Sequence, residues 1–186
     1  MSPLLIIVAL QGELHPEALP ASLPLIYCGV GKINAALATQ HAINKYQPRQ
    51  IINFGTAGRV NPHLTGLQKI ARVVQRDMNA EPLAPRGITP LMDGPHEYFS
   101  GDVGVTCGTG DSFVTSRDSW LEAHKIDLVD MELFAIATAA YRANIKWSAY
   151  KFISDDANGG AAEDWQAKVN HGEQLFLSEL KISGLI

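Results

Sequence analysis

The chain has 186 residues, about one domain's worth and enough to bury a core without disulfide staples. Hydrophobic residues make up 46% and charged residues 18%, which excludes a disordered chain. The net charge of −4 argues against a nucleic-acid or anionic-membrane surface, since both want a basic face.

The opening run Leu4-Leu5-Ile6-Ile7-Val8-Ala9-Leu10 is continuously apolar, as a strand buried on both faces would be. It is too short to span a bilayer and lacks the basic flank and small-residue cleavage site of a signal peptide. A soluble, cytoplasmic chain with no membrane or nucleic-acid partner is therefore expected. The run ends in the polar turn Gln11-Gly12-Glu13. Leu25 to Cys28 is a second short apolar piece running into Gly29-Val30-Gly31-Lys32, after which Ile33, Ala36, Leu37 and Ile43 recur at helical spacing up to Pro48. Ile51 to Phe54 predicts another strand, followed by the glycine turn Gly55-Thr56-Ala57-Gly58. Strand, helix, strand in this order is the pattern of a largely parallel sheet covered by helices.

Gln68 to Gln75 alternates well enough for a strand, and Asp77 to Gly94, with three prolines and two glycines, predicts a long loop. Val103 to Cys107 restarts a strand that enters Gly108-Thr109-Gly110-Asp111-Ser112-Phe113. Leu133 to Tyr141 carries no charge, which predicts a helix buried on most sides. Trp147 to Ile153 reads as a further buried strand ending in Ser154-Asp155-Asp156, and Ala161 to Leu180 as an amphipathic closing helix. No repeat or interdomain linker interrupts residues 1–186, so a single domain is expected.

Three carboxylates fall where an α/β sheet puts its ligand: Glu13 after the first strand, Glu132 before the buried helix and Asp155 after the last strand. Each has a plainer reading. Glu13 fits a solvated turn, Glu132 the complement of a helix N-terminus, and Asp155 a cap on the segment behind it. Gly29-x-Gly31-Lys32 lacks the next glycine of a dinucleotide fingerprint and the Ser/Thr of a phosphate-binding loop. Gly55 to Gly58 fits either a tight strand-to-helix turn or a backbone that a ligand can approach closely. Asp77 and Asp111 read as loop hydrogen-bond acceptors. The two cysteines, Cys28 and Cys107, allow neither a disulfide framework nor a Cys-rich zinc cluster, and the six scattered histidines show no metal-ligand spacing, so no metal is expected.

Gly29 to Ala36, Ile52 to Gly58, Gly110-Asp111-Ser112-Phe113, Asp130-Met131-Glu132 and Ile153-Ser154-Asp155 occur in that order. Together they resemble the nucleoside phosphorylase/nucleosidase superfamily, and most of all its methylthioadenosine/S-adenosylhomocysteine nucleosidases. The resemblance runs from Ile7 to about Asp156. It implies a three-layer α/β sandwich around a twisted, partly barrel-like mixed sheet, a homodimer, a purine nucleoside substrate drawn from salvage, and no cofactor.

Residue by residue, the resemblance makes Asp155 the general acid that protonates purine N7. An ordinary aspartate, near pKa 3.9, needs a site that raises it. Glu132 is matched to the carboxylate that binds the ribose 2′ and 3′ hydroxyls and favours the cationic sugar. Glu13 is matched to the residue that orients and deprotonates water, with Thr56 beside it. Phe113 stacks on the purine, the Val114 backbone reads its edge, and Met131 packs on the ribose. Gly58, Ser154 and Lys151 complete the implied substrate contacts. Seen alone, Phe113 and Met131 would read as core residues.

Phosphorolytic relatives carry an arginine at the position of Asn53, so the resemblance favours water over phosphate as nucleophile. Two features depart from the family pattern. Pro90 to Thr106 is short where relatives have a helix lining the pocket for the 5′ substituent, partly from the partner subunit, and Lys151 stands where the nucleosidases carry arginine. The alternatives are a phosphorylase with a phosphate site at Arg59 or Lys151, and a nucleoside-binding protein without turnover.

Overall fold

The computed structural model describes residues 4–116, 119–168 and 170–186. The first strand, β1 (Leu4–Val8), is buried along its whole length. Its side chains alternate between two cores, as a pleated strand requires. Leu5 and Ile7 join Ala35, Ala42, Ile43 and Ile136 on one face, whereas Leu4, Ile6 and Val8 join Phe54, Phe176 and Leu180 on the other. Helices α1 (Lys32–Tyr46) and α3 (Leu133–Arg142) cover the first face and α5 (Glu173–Ile182) the second. This is the three-layer arrangement expected from sequence.

The remaining strands are β2 (Leu25–Tyr27), β3 (Gln50–Arg59), β4 (Leu67–Gln75), β5 (Glu97–Phe99), β6 (Val105–Thr109), β7 (Leu128–Asp130) and β8 (Lys146–Asp155). The sheet is ordered β2-β1-β3-β7-β6-β4-β5, with β8 pairing both β3 and β4. The path β3-β7-β6-β4-β8 therefore closes on itself as a barrel, from which β1 and β2 extend on one side. Pairings β1–β2, β1–β3, β3–β8, β4–β6 and β6–β7 are parallel, while β3–β7, β4–β5 and β4–β8 are antiparallel, so the sheet is mixed.

Several expectations need correcting. Gly55 to Gly58 is not a turn: β3 runs straight through it, with a register shift against β8 between Ala57 and Gly58. On α1 the buried residues are Ala35, Thr39, Ala42 and Ile43, whereas Ile33 and Leu37 face outward. Small alanines let α1 lie close against the Ala-rich α3, which is why the larger residues are left outside. The closing segment breaks into α4 (Ala161–Lys168) and α5, with Gly172 as the N-cap of α5; Val169 lies outside the described residues. A Cβ at Gly172 would meet the Phe152 side chain at 2.5 Å, so the break is where the chain crosses β8. The short elements β5, β7 and α2 (Ser119–Ala123) were not foreseen.

Candidate active site

The carboxyl ends of β1, β3, β7 and β8 converge on a cavity of about 230 Å³. Glu13, Thr56, Gly58, Phe113, Val114, Met131, Glu132, Ser154 and Asp155 all line it. Residues spread over most of the chain thus meet where β-strand ends leave backbone and side chains facing a common space.

Glu13 sits just beyond β1 and is only 3% exposed. Its Oε1 accepts from the Thr56 amide and the Thr56 hydroxyl, both at 2.8 Å, and its Oε2 from the Leu10 amide at 3.0 Å. The strand β3 carries Thr56 to this point because its glycines leave room. A Cβ at Gly55 would lie 3.2 Å from Glu13 Oε1, and one at Gly58 would lie 2.6 Å from Asp155 Oδ1. The glycines let two carboxylates come close to the β3 backbone: a side chain at Gly58 would collide with Asp155, and one at Gly55 would crowd Glu13 by a few tenths of an ångström.

Asp155 closes β8 and is buried. Its Oδ2 accepts from the Ser154 hydroxyl at 2.9 Å and its Oδ1 from the Ala157 amide at 2.9 Å. Burial raises its pKa above the ordinary aspartate value, and those two hydrogen bonds oppose the rise without cancelling it. The neighbouring Asp156 is half exposed and pairs with Arg59, which also donates to the Leu64 carbonyl.

Glu132 faces the cavity at the start of α3 and accepts from the Gly31 amide at 3.0 Å. Burial first, and then the charge of Asp130, push its carboxyl up to about 7. Asp130, rather than Glu132, supplies the helix terminus: its Oδ2 takes the Leu133 amide at 2.9 Å.

Lys151 is the exception among the expected contacts. It is 1% exposed, does not line the cavity, and its Nζ lies 2.8 Å from Asp130 Oδ2. Burial alone would lower the Lys151 ammonium, but Asp130 and Glu132 outweigh it and hold it above its ordinary value. Lys151 thus acts beneath the wall, as counter-charge to a cluster of carboxylates.

Two wall residues escaped the sequence reading. Arg76, 5% exposed, donates from Nη2 to the Gly110 carbonyl at 3.0 Å and to the Ser112 carbonyl, steadying the segment that presents Phe113. The adjacent Asp77 takes the Asp111 amide at 2.8 Å and pairs with Lys32, so the two acidic loop residues are hydrogen-bond acceptors as expected. Trp165, on α4, donates its indole N–H to Thr56 Oγ1 at 2.8 Å. Nothing in the spacing marked either residue. Among the described residues no cluster of three His, Cys, Asp or Glu is placed to hold a metal, and no helix is long and apolar enough to cross a membrane.

The family model of the phosphorylase superfamily matches residues 21–83 and 101–180. A 5′-methylthioadenosine/S-adenosylhomocysteine nucleosidase of Staphylococcus aureus is 31% identical over 162 residues, covering 75% of this chain and 71% of that protein. Among solved structures, the S-adenosylhomocysteine nucleosidase of Streptococcus pyogenes, in complex with 5-methylthiotubericidin, superposes with a TM-score of 0.78 at 24% identity, covering 91% of this chain and 90% of that one. The futalosine hydrolase of Helicobacter pylori strain 26695 superposes with a TM-score of 0.86 at 19% identity, covering 97% and 96%. These two structural likenesses concern the fold.

Proposed function

The chain belongs to the phosphorylase superfamily, among its nucleosidases, and from that premise we propose that it hydrolyses the N-glycosidic bond of a purine nucleoside. The base is adenine, the substrate is of the methylthioadenosine or S-adenosylhomocysteine kind, and free base and free sugar are released. The observation that carries this reading is the meeting of Glu13, Glu132 and Asp155 in one cavity.

The chemistry assigns each carboxylate a different task. Asp155, its pKa raised by burial, gives its proton to purine N7, so the base leaves neutral as the bond from the sugar's anomeric carbon breaks. The electron pair goes to the base and leaves an oxocarbenium-like sugar. Glu132 takes hydrogen bonds from the ribose hydroxyls, and its charge complements the sugar cation more than it does the neutral substrate. Glu13 holds a water and takes its proton as the oxygen bonds to the anomeric carbon. Phe113 stacks on the purine, the Val114 backbone reads its edge, and Met131 packs on the ribose. Gly58 and Ser154 shape the Asp155 side.

Water is favoured over phosphate because Arg76, the one cation lining the cavity among the described residues, turns both Nη groups to its own loop and leaves only a buried Nε without a partner. Arg59 is paired with Asp156, Lys151 with Asp130, and Arg76 is occupied by loop carbonyls. Asn53, where phosphorolytic relatives carry arginine, is buried and donates to the Ile7 carbonyl.

The whole of 1–186 is read as one domain working as a homodimer. Exposed Val30, Ile33, Leu37 and Phe113 put apolar surface at and beside the cavity, which a second copy would cover. The two buried free cysteines suit a reducing cytoplasm, and the released base suits purine salvage.

The test is chromatography of base released from adenosine, inosine, methylthioadenosine, S-adenosylhomocysteine and a futalosine-type nucleoside, with and without phosphate. Phosphate-independent release of free base and free sugar is expected. Ribose 1-phosphate made only with phosphate would replace water by phosphate as nucleophile, and binding without release would leave a nucleoside-binding protein.

A further inference from the structure

Trp165, Thr56 and Glu13 come from three separate parts of the chain and form one continuous hydrogen-bonded line along the cavity wall. Trp165 Nε1 lies 2.8 Å from Thr56 Oγ1, which lies 2.8 Å from Glu13 Oε1. An indole nitrogen can only donate, whereas a threonine hydroxyl has one proton and two lone pairs. With the indole N–H on one lone pair, the hydroxyl's single proton is directed at Glu13. The Thr56 amide reaches the same Glu13 oxygen and the Leu10 amide the other, so three donors fix the carboxylate in place.

We propose that Trp165 is a positioning residue for the water-activating step: its N–H locks the Thr56 hydroxyl toward Glu13 and so sets the direction in which Glu13 holds water. The role rests on the hydrolase reading above. Remove the indole donor and the hydroxyl is free to turn its proton away, leaving Glu13 one donor short in a buried wall. Trp165 lies on α4, which follows the loop after Asp155, and it lines the cavity itself. Docking of α4 and orientation of Glu13 are therefore linked through one hydrogen bond.

A double-mutant cycle separates this role from simple wall packing. Trp165→Phe keeps an aromatic face without the donor, and Thr56→Val removes the hydroxyl at nearly equal volume. With a nucleoside that the parent turns over, Trp165→Phe is expected to lower kcat about threefold to tenfold while KM stays within about twofold. In the Thr56→Val background the same change is expected to have no further effect on kcat, and in the Thr56→Ser background its full effect should return. Equal losses in both backgrounds, or a loss confined to KM, would overturn the role.

The hydrogen bond has its own readout in the unliganded protein. The Trp165 indole N–H resonance, identified by its disappearance in Trp165→Phe, should move in Thr56→Val and stay in Thr56→Ser. A resonance indifferent to Thr56→Val would overturn the proposal without reference to turnover. A parent that releases no base ends the hydrolase reading and this role with it, whereas an active parent with an additive cycle ends this role alone.

Discussion

Gly58 and Asp155 can occupy their positions only together: a Cβ on residue 58 would lie 2.6 Å from Asp155 Oδ1 and 3.1 Å from the Val129 side chain. The carboxylate gains its buried place against β3 because that strand carries no side chain there. Gly58→Ala is expected to displace the Asp155 carboxyl and lower kcat about tenfold to a hundredfold, since small misplacement of a reacting group is costly. Steady-state kinetics beside a thermal melt checks it, and an alanine variant with parental kcat would detach Asp155 from its proposed geometry.

Glu132 gives the pH dependence. With its pKa near 7 in the free protein, the charge that complements the cationic sugar is present above that pH and lost below it. The kcat/KM profile is expected to fall on the acid side with a midpoint near 7, and Glu132→Gln to lack that limb along with most of its activity. The same raised value bears on stability. Between the ordinary glutamate pKa and 7 the folded protein binds more protons than the unfolded chain, so stability falls as pH rises through that window. Denaturant melts of Glu132→Gln from pH 5 to 8 should lack that decline.

Lys151 and Asp130 form a buried pair 2.8 Å apart, with both side chains almost fully enclosed. Removing the cation strands Asp130, fully buried, beside Glu132. Lys151→Met is expected to destabilise by about 3–5 kcal/mol, measured by urea unfolding. A loss below about 1 kcal/mol would show that the cluster does not depend on this counter-charge.

Phe54 and Phe176 stack with centroids 4.3 Å apart and planes 6° from parallel, pinning α5 to the sheet, and neither ring lines the carboxylates' cavity. Phe176→Ala should cost about 3–5 kcal/mol of stability while leaving kcat of the folded protein near parental at low temperature. A kcat loss larger than the unfolded fraction explains would tie that layer to catalysis.

The readability of the chain differs from element to element for physical reasons. β1 and α3 are legible because burial on nearly all sides leaves uninterrupted apolar runs. β3 is legible only in its first half, Ile51 to Phe54, because the glycines beyond it, which punctuate turns elsewhere, serve here to admit Glu13 and Asp155. The apolar spacing of α1 marks the helix but not its buried face, because Ile33 and Leu37 are apolar yet exposed, while the contact with α3 is built from alanines. β5 and β7 are three residues each, too short for any periodicity. At the site, the three carboxylates were marked by their place at strand ends. Lys151 was marked too, but its partner Asp130 is a contact that only the closed barrel creates, and Trp165 and Arg76 owe their places to a helix and a loop folding back over the cavity.

The most direct test of the whole arrangement is kcat of Asp155→Asn on methylthioadenosine, or on whichever nucleoside the parent cleaves fastest. Asparagine keeps the shape and the Ser154 and Ala157 neighbourhood but cannot give a proton to N7. A loss of about a hundredfold to ten-thousandfold with an unchanged melting profile is expected. Turnover at the parental rate would contradict the assignment of Asp155 as the acid and, with it, the proposed division of labour among the three carboxylates.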